Sequence, residues 1–335
     1  MLKESDKIER KKKALIIQTA FLGDVVLATP LVENLFQADI QTDFLLRKGN
    51  ESLLLHHPKI QHLWIWDKGK HKNTNLLKML FKIRQQRYDF VFCLQRFASG
   101  GILAALSGAK FISGFQKNPF SFAFHSSKPH ELKSGLHEVD RNLSLLPPEL
   151  DFGLRLPKLY PQPSDYQKVK PYQTQPYLTL SPASVWFTKQ FAEHKWGEFL
   201  NALDFEGSIF VLGGKSDGAL AQRIARACSK PVQVLCGELS LLQSAALMQS
   251  AKMNYVNDSA PMHLASAVNA PVCAVFCSTV PEFGFGPLSE HSTTVQTSQP
   301  LDCRPCGLHG HRKCPKGHFN CSEFIDIQQL INALH

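Results

Sequence analysis

The run from Ala14 to Phe36, ALIIQTAFLGDVVLATPLVENLF, decides the architecture. Ala14 to Thr19 is a short apolar segment of strand length, Gly23-Asp24 reads as a turn, and from Val25 the apolar residues recur at helical spacing. Strand, turn and helix in that order are the opening unit of a parallel sheet wrapped by helices.

Working outward, the same rhythm continues. Strand-like runs at Thr42 to Leu46, Leu63 to Trp66, Phe90 to Leu94 and Phe111 to Gly114 alternate with helical patterning at Leu76 to Arg87 and Gly101 to Leu106. Between Pro147 and Pro176 it lapses, with seven prolines in thirty residues, as expected of a stiff, extended connection. It resumes with strands at Tyr177 to Leu180, Ser208 to Leu212, Gln233 to Leu235, Met253 to Val256 and Pro271 to Phe276. The intervening helices are expected near Glu193 to Leu203, at Asp217 to Cys228, from a capping box at Ser240 and Gln243, and at Pro261 to Val268. The expectation is an α/β protein of two units, residues 1–160 and 161–335, with a cleft between them at the carboxyl ends of the strands.

Of 335 residues, 44% are apolar and 19% charged, an ordinary globular composition. The net charge of +9 is carried wholly by residues 1–158, and the remainder is balanced. The N-terminal half is therefore the half suited to an anionic partner such as a phosphorylated lipid, a membrane surface or nucleic acid, with a merely solvated face as the plain alternative. No run approaches about 18 apolar residues, and the MLKESDKIERKKK leader has no signal-peptide pattern, so a cytoplasmic location is expected. In that reducing setting Cys93, Cys228, Cys236, Cys273 and Cys277, scattered singly in apolar surroundings, read as core filler.

Three segments carry candidate chemistry. Asp24, where the first strand gives way to its helix, reads either as a cap for exposed N–H groups or as a general base facing the cleft. In SPASVWFTK, residues 181–189, Ser184 and Lys189 suit a phosphate: a point charge and hydroxyl donors in a loop at a strand's carboxyl end. Asp258, Ser259 and His263 open the helix after the Met253 strand, where unpaired N–H groups suit a pyrophosphate and Pro261 fits the first turn. A core histidine satisfied by a carbonyl is the plain reading of His263. The chain lacks Gly-x-Gly-x-x-Gly after either unit's first strand and has no Gly-x-x-x-x-Gly-Lys-Ser/Thr loop, which counts against a dinucleotide oxidoreductase and a P-loop ATPase.

Together GDVVLATPLVENL (23–35), SVWFTKQF (184–191), CGELSLLQSAALMQSAK (236–252), NDSAPMHLASAV (257–268) and PVCAVFCSTVPEFGFGPL (271–288) resemble the heptosyltransferase family of glycosyltransferases, closest to its type II-like members. The likeness runs from about Lys13 to the C-terminus. It implies a GT-B fold: two Rossmann-like domains facing a central cleft, acceptor on the first, sugar nucleotide on the second, with a final helix that can pack back on the N-terminal domain. It implies inverting transfer with no catalytic metal, from ADP-heptose to the lipopolysaccharide inner core (Kdo-lipid A or its heptosylated form), by an enzyme at the cytoplasmic face of the inner membrane that takes no nucleic acid. Residue by residue, Asp24 matches the family's catalytic aspartate. Lys189, Ser184, Asp258, Ser259 and His263 match donor-binding positions, and Asp217 aligns loosely with an acidic position expected at the nucleotide ribose. The family usually has glycine where this chain has Ala260, which leaves donor identity open. Acceptor choice is expected from Gln95 to Gly101 and Phe115 to Lys133.

The tail 303–321 holds Cys303, Cys306, Cys314 and Cys321, with His309, His311 and His318 among them. A structural zinc, reduced thiols and an oxidised bridge are all open, since the spacing after the first pair is not the paired Cys-x-x-Cys arrangement. A nucleotide-sugar epimerase, a transferase of the same family using another nucleotide sugar, and a lipid- or nucleic-acid-binding module on a degenerate transferase fold are the rival functions.

Overall fold

The computed structural model describes residues 10–69, 72–132 and 135–334; the first nine residues of the basic leader, and Lys133 at the end of the second acceptor loop, lie outside them. The N-terminal domain is a six-stranded sheet of β1 (Lys13–Ile17), β2 (Gln41–Arg47), β3 (Ile60–Trp66), β4 (Phe90–Cys93), β5 (Phe111–Phe115) and β6 (Ser126–Lys128) in the order β3-β2-β1-β4-β5-β6. The C-terminal sheet of β7 (Tyr177–Ser181), β8 (Ser208–Val211), β9 (Val232–Val234), β10 (Met253–Asn257), β11 (Val272–Phe276) and β12 (Ser292–Gln296) runs β12-β11-β10-β7-β8-β9. Every pairing is parallel. Numbered within its own domain the second sheet has the same strand order as the first. Each therefore has a switch point, between β1 and β4 and between β7 and β10, where connections leave in opposite directions and open a crevice.

The central strands are covered on both faces by helices: β7, β10 and β11 are buried at every position. β6 and β12 were not expected from the sequence. β6 is only three residues, Ser-Ser-Lys, and β12 is a mostly exposed edge strand, so neither carries an apolar signature.

Gly23 and Asp24 do not form a turn before the helix. They lie inside α1 (Leu22–Leu27), which ends at Ala28, where α2 (Thr29–Gln37) begins with Pro30 in its first turn. α3 (Lys72–Gln86) and α4 (Ala98–Ala105) complete the crossovers, and α5 (Glu138–Leu143) follows β6. The proline-rich connection is not simply extended either. Its first half is stitched to α2 by Phe152 N donating to Asn34 Oδ1 (2.7 Å), Lys158 N to Thr29 Oγ1 (2.9 Å) and the Tyr160 hydroxyl to Glu33 Oε1 (2.9 Å). Its second half contains α6 (Pro163–Val169), started by Pro163 and packed on the later helix Leu241–Gln249.

In the C-terminal domain α7 (Glu193–Ala202), α8 (Gly218–Ala227), α9 (Leu241–Gln249, capped by Ser240 as its sequence predicts) and α10 (Ala260–Ala267) link the strands. α11 (Asn320–Glu323) and α12 (Ile327–Asn332) close the chain. α12 packs on α7 with Leu330 fully buried in the C-terminal core and its carbonyl accepting from the Tyr255 hydroxyl. The expected return of the last helix to the N-terminal domain is corrected by this packing, because the apolar face of α12 is used up at home.

The domains meet through α1 and α10, and one apolar cluster runs unbroken from Ala14 and Ile16 to Val256 and Phe276. The approach is so close that a β-carbon at Gly23 would stand 2.8 Å from His263 Cδ2. Gly23→Ala must therefore displace the buried His263 imidazole or the α1 backbone, and it is expected to cost about 1–3 kcal/mol. A urea unfolding midpoint unchanged from the parent would show that the two helices are not locked there.

Candidate active site

The loops from both switch points face one cavity of about 280 Å³. From the N-terminal side Gly23, Asp24 and Arg47 line it; from the C-terminal side come Ser184, Lys189, Asp258, Ser259, Ala260 and His263. All the sequence-derived candidates except Asp217 and the tail cysteines are thus brought together.

Asp24 is the third residue of α1, and its Oδ2 accepts from Phe21 N at 3.0 Å. It therefore caps the helix and also lines the cavity, so the two readings of this residue are not exclusive. Burial, and next the charge of Glu138, push its carboxyl up to about 6, against the lowering effect of the Phe21 and Asp24 amides and of Arg96.

Across the cavity Lys189 ends a short 3-10 turn, Phe187–Lys189, and its Nζ lies 2.7 Å from Asp258 Oδ2. The same oxygen accepts from the Thr279 hydroxyl at 2.6 Å. Asn257, wholly buried, ties the two loops in register: its Oδ1 accepts from Phe191 N (2.9 Å) and its Nδ2 donates to Pro182 O (2.7 Å). Ser259 is the N-cap residue of α10 yet its side chain makes no cap, which leaves the first amides of that helix without a side-chain acceptor. His263 is 6% exposed, and its Nδ1 has no hydrogen-bond partner. The plain reading, a histidine satisfied by a carbonyl at that nitrogen, does not hold. Burial brings its imidazole down to about 4, so at neutral pH it offers a neutral N–H donor and no charge. Among the described residues lining the cavity, Lys189 and Arg47 are the formal cations.

Asp217 stands apart. Its Oδ2 accepts from Gly214 N (2.8 Å) and caps the short 3-10 turn Lys215–Asp217 that leads into α8, and it is not among the residues lining the cavity. Sequence reasoning missed Arg47, Thr279, Phe283, Phe285 and His309 as wall residues. Arg47 had a legible signal, a cation at the carboxyl end of β2. The others come from loops whose course only the fold defines.

The tail winds against the Lys189 loop. Thr188 N donates to His311 O (3.1 Å), His311 N to Thr188 Oγ1 (2.7 Å) and Cys306 N to Ser278 O (2.7 Å). Arg304 reaches the carbonyls of Phe276, Cys277 and Thr279 at the carboxyl end of β11. Cys303, Cys306, Cys314 and Cys321 surround one small space with His318, and all nine cysteines are free thiols. Among the described residues no three or more His, Cys, Asp or Glu side chains form a set that can hold a metal ion. Through these bonds the tail braces the loop that carries Lys189 and the loop that follows β11. Cys93, Cys273 and Cys277 are buried core residues as expected, while Cys228 and Cys236 are half-buried.

The family model of glycosyltransferase family 9 (heptosyltransferase) matches residues 76–314. Lipopolysaccharide heptosyltransferase 3 of Escherichia coli strain K12 is 29% identical over 286 residues, covering 77% of this chain and 80% of that protein. Among solved structures, that of E. coli ADP-heptose LPS heptosyltransferase II superposes with a TM-score of 0.77 at 19% identity, covering 96% and 97% of the two chains. A family 9 glycosyltransferase from Veillonella parvula gives 0.81 at 18%, covering 97% of each. The two-sheet α/β architecture expected from the sequence is the GT-B fold of these enzymes. The cavity at its two switch points is thus the cleft of a glycosyltransferase, and the chain belongs to family 9, the heptosyltransferases.

Proposed function

We propose that the protein transfers a heptose, with inversion and without a catalytic metal, from ADP-L-glycero-D-manno-heptose to the inner core of lipopolysaccharide. The observation that carries this reading is the facing of Asp24, across one cavity, by Lys189, His263 and the open N-terminus of α10. The names of the matched heptosyltransferases support the choice of donor and acceptor.

In the reaction Asp24 takes the proton of an acceptor hydroxyl while its oxygen attacks the anomeric carbon from the N-terminal side. The bond from that carbon to the diphosphate breaks, and the electron pair leaves with ADP. Lys189, the His263 N–H and the Ala260 amide at the start of α10 receive the charge that develops on the diphosphate. Asp258, held by Thr279, keeps the ammonium of Lys189 aimed until phosphate oxygens share it. Ser184 and Ser259 offer hydroxyl donors at the same wall. Ala260 places a methyl group there in place of the family's usual glycine, and this favours, as the second reading, a different nucleotide sugar in the same chemistry.

Contact with an anionic membrane face is part of the proposal. No helix of the described residues is long and apolar enough to span a bilayer. α3, however, has no acidic residue and exposes Leu77 and Phe81, one turn apart, beside Lys78 and Lys82. Such a face suits shallow contact with acidic lipid, at about 1 kcal/mol per basic residue near the surface.

Asp24→Ala is expected to lower kcat by about 10²- to 10⁴-fold while calorimetry still finds nucleotide binding; near-normal turnover would remove Asp24 as the base. Because the base must be ionised and its carboxyl sits at about 6, kcat/KM of the parent should be level above that pH and fall as pH drops through it. A profile flat down to pH 4.5 would contradict the assignment. Vesicles containing phosphatidylglycerol should retain the protein at low salt and release it as salt rises, and Phe81→Ala with Lys82→Ala should weaken retention. Equal retention on phosphatidylcholine alone would overturn the electrostatic part.

A further inference from the structure

α5 of the N-terminal domain is bound to a loop of the C-terminal domain by an unusual number of polar contacts, all at the rim of the cavity. Glu138 N donates to Gly284 O at 2.7 Å, and His137 Nε2 lies 3.0 Å from Gly286 O. The other His137 nitrogen accepts from Val139 N as the α5 cap, which makes Nε2 the donor. Arg141 is 2% exposed; its Nη2 donates to Phe283 O (2.8 Å), its Nη1 to Leu136 O and its Nε to Glu138 Oε2 (2.8 Å). Its guanidinium also stands 5.5 Å from the centre of the Phe285 ring. His130 Nε2 spans the Glu138 carboxylate, 3.0 Å from Oε2 and 3.1 Å from Oε1.

The loop so gripped is not a bystander, because Phe283 and Phe285 are walls of the cavity. Its tip, Gly284, has φ +83, and a β-carbon there would fall 2.2 Å from Leu136 O and 2.8 Å from Arg141 Nη1. Only glycine lets the two domains come this close. A buried ion pair of this kind contributes little net stability, since desolvation offsets most of the attraction, but it is specific in geometry. Arginine's flat fork can bond two carbonyls and a carboxylate at once, which lysine cannot.

We propose that the Glu138–Arg141 pair is a positioning device for the transfer reaction: it fixes the loop walling the donor side to the domain that carries Asp24, so that both halves of the site close in one register. The pair touches no reacting atom. It acts through the loop and, by the nearby negative charge of Glu138, on Asp24, which also feels the charge of Arg96 and shares the cavity wall with Arg47, Lys189, Asp258, His263 and His309. The inference rests on the transferase reading above.

The test compares Arg141→Lys and Glu138→Gln with the parent. Arg141→Lys keeps a cation beside Glu138 and deletes the fork; kcat should fall roughly tenfold to a hundredfold, with ADP affinity by calorimetry changed less than about threefold because the donor groups lie wholly in the C-terminal domain. Glu138→Gln keeps the shape and removes the charge; the acid limb of kcat/KM should move to lower pH, by roughly half a unit or more. If Arg141→Lys does not fold, His137→Asn, which preserves a cap for Val139 N and deletes the Gly286 contact, tests the same joint through the same split of kcat from ADP affinity. Normal kcat in the folded joint variant together with an unmoved limb in Glu138→Gln overturns the proposal. A parent enzyme with no acid limb, or an active Asp24→Ala, would instead locate the failure in the transferase reading.

Discussion

Everything in the site depends on how near α1 comes to α10. The missing side chain of Gly23 lets the imidazole of His263 sit against the α1 backbone, and this contact places Asp24 opposite the donor-side loops across a narrow cavity. Two consequences follow from the same closeness. The Asp24 carboxyl is desolvated and holds its proton until higher pH than usual, and His263 is desolvated and stays neutral. A base poised near 6 is suited to taking a proton from an alcohol at neutral pH, because it is ionised there yet less weakly basic than an ordinary aspartate.

The two sheets share a strand order, but the chain uses their switch points differently. At the first, a short helix interrupted at Ala28 presents a carboxylate; at the second, a lysine, an uncapped helix start and a braced loop present donors. This division of charge fits the proposed transfer, in which Asp24 accepts a proton on one side and the groups on the other receive a leaving diphosphate. The cysteine-bearing tail and Arg304 are tied mainly to the second half, through Thr188, Ser278 and the carbonyls at the end of β11, while His309 lies 3.4 Å from Arg96 of the first.

Much of this was legible beforehand. The ALIIQT strand, the apolar runs of β7, β10 and β11 and the Ser240 cap follow from local pattern, and Asp24, Lys189, Asp258 and His263 could be singled out because each sits at a strand's carboxyl end. What pattern could not supply is long-range. β6 and β12 have no apolar signature of their own, α12 chooses its partner by packing, and the grip of α5 on Gly284 joins residues nearly 150 positions apart. Asp217, an acidic residue at the right strand end, lies off the cavity wall with its carboxylate capping the short turn ahead of α8.

The central claim is that the cleft carries a sugar from a nucleotide to an acceptor held on the Asp24 side. It is tested most directly by following ADP release from ADP-heptose by the purified protein, with and without deacylated Kdo-lipid A or heptosylated core acceptors. The account predicts release that depends on an acceptor and scales with its concentration. Release at the same rate without any acceptor, or none with every acceptor although the donor binds, would contradict it.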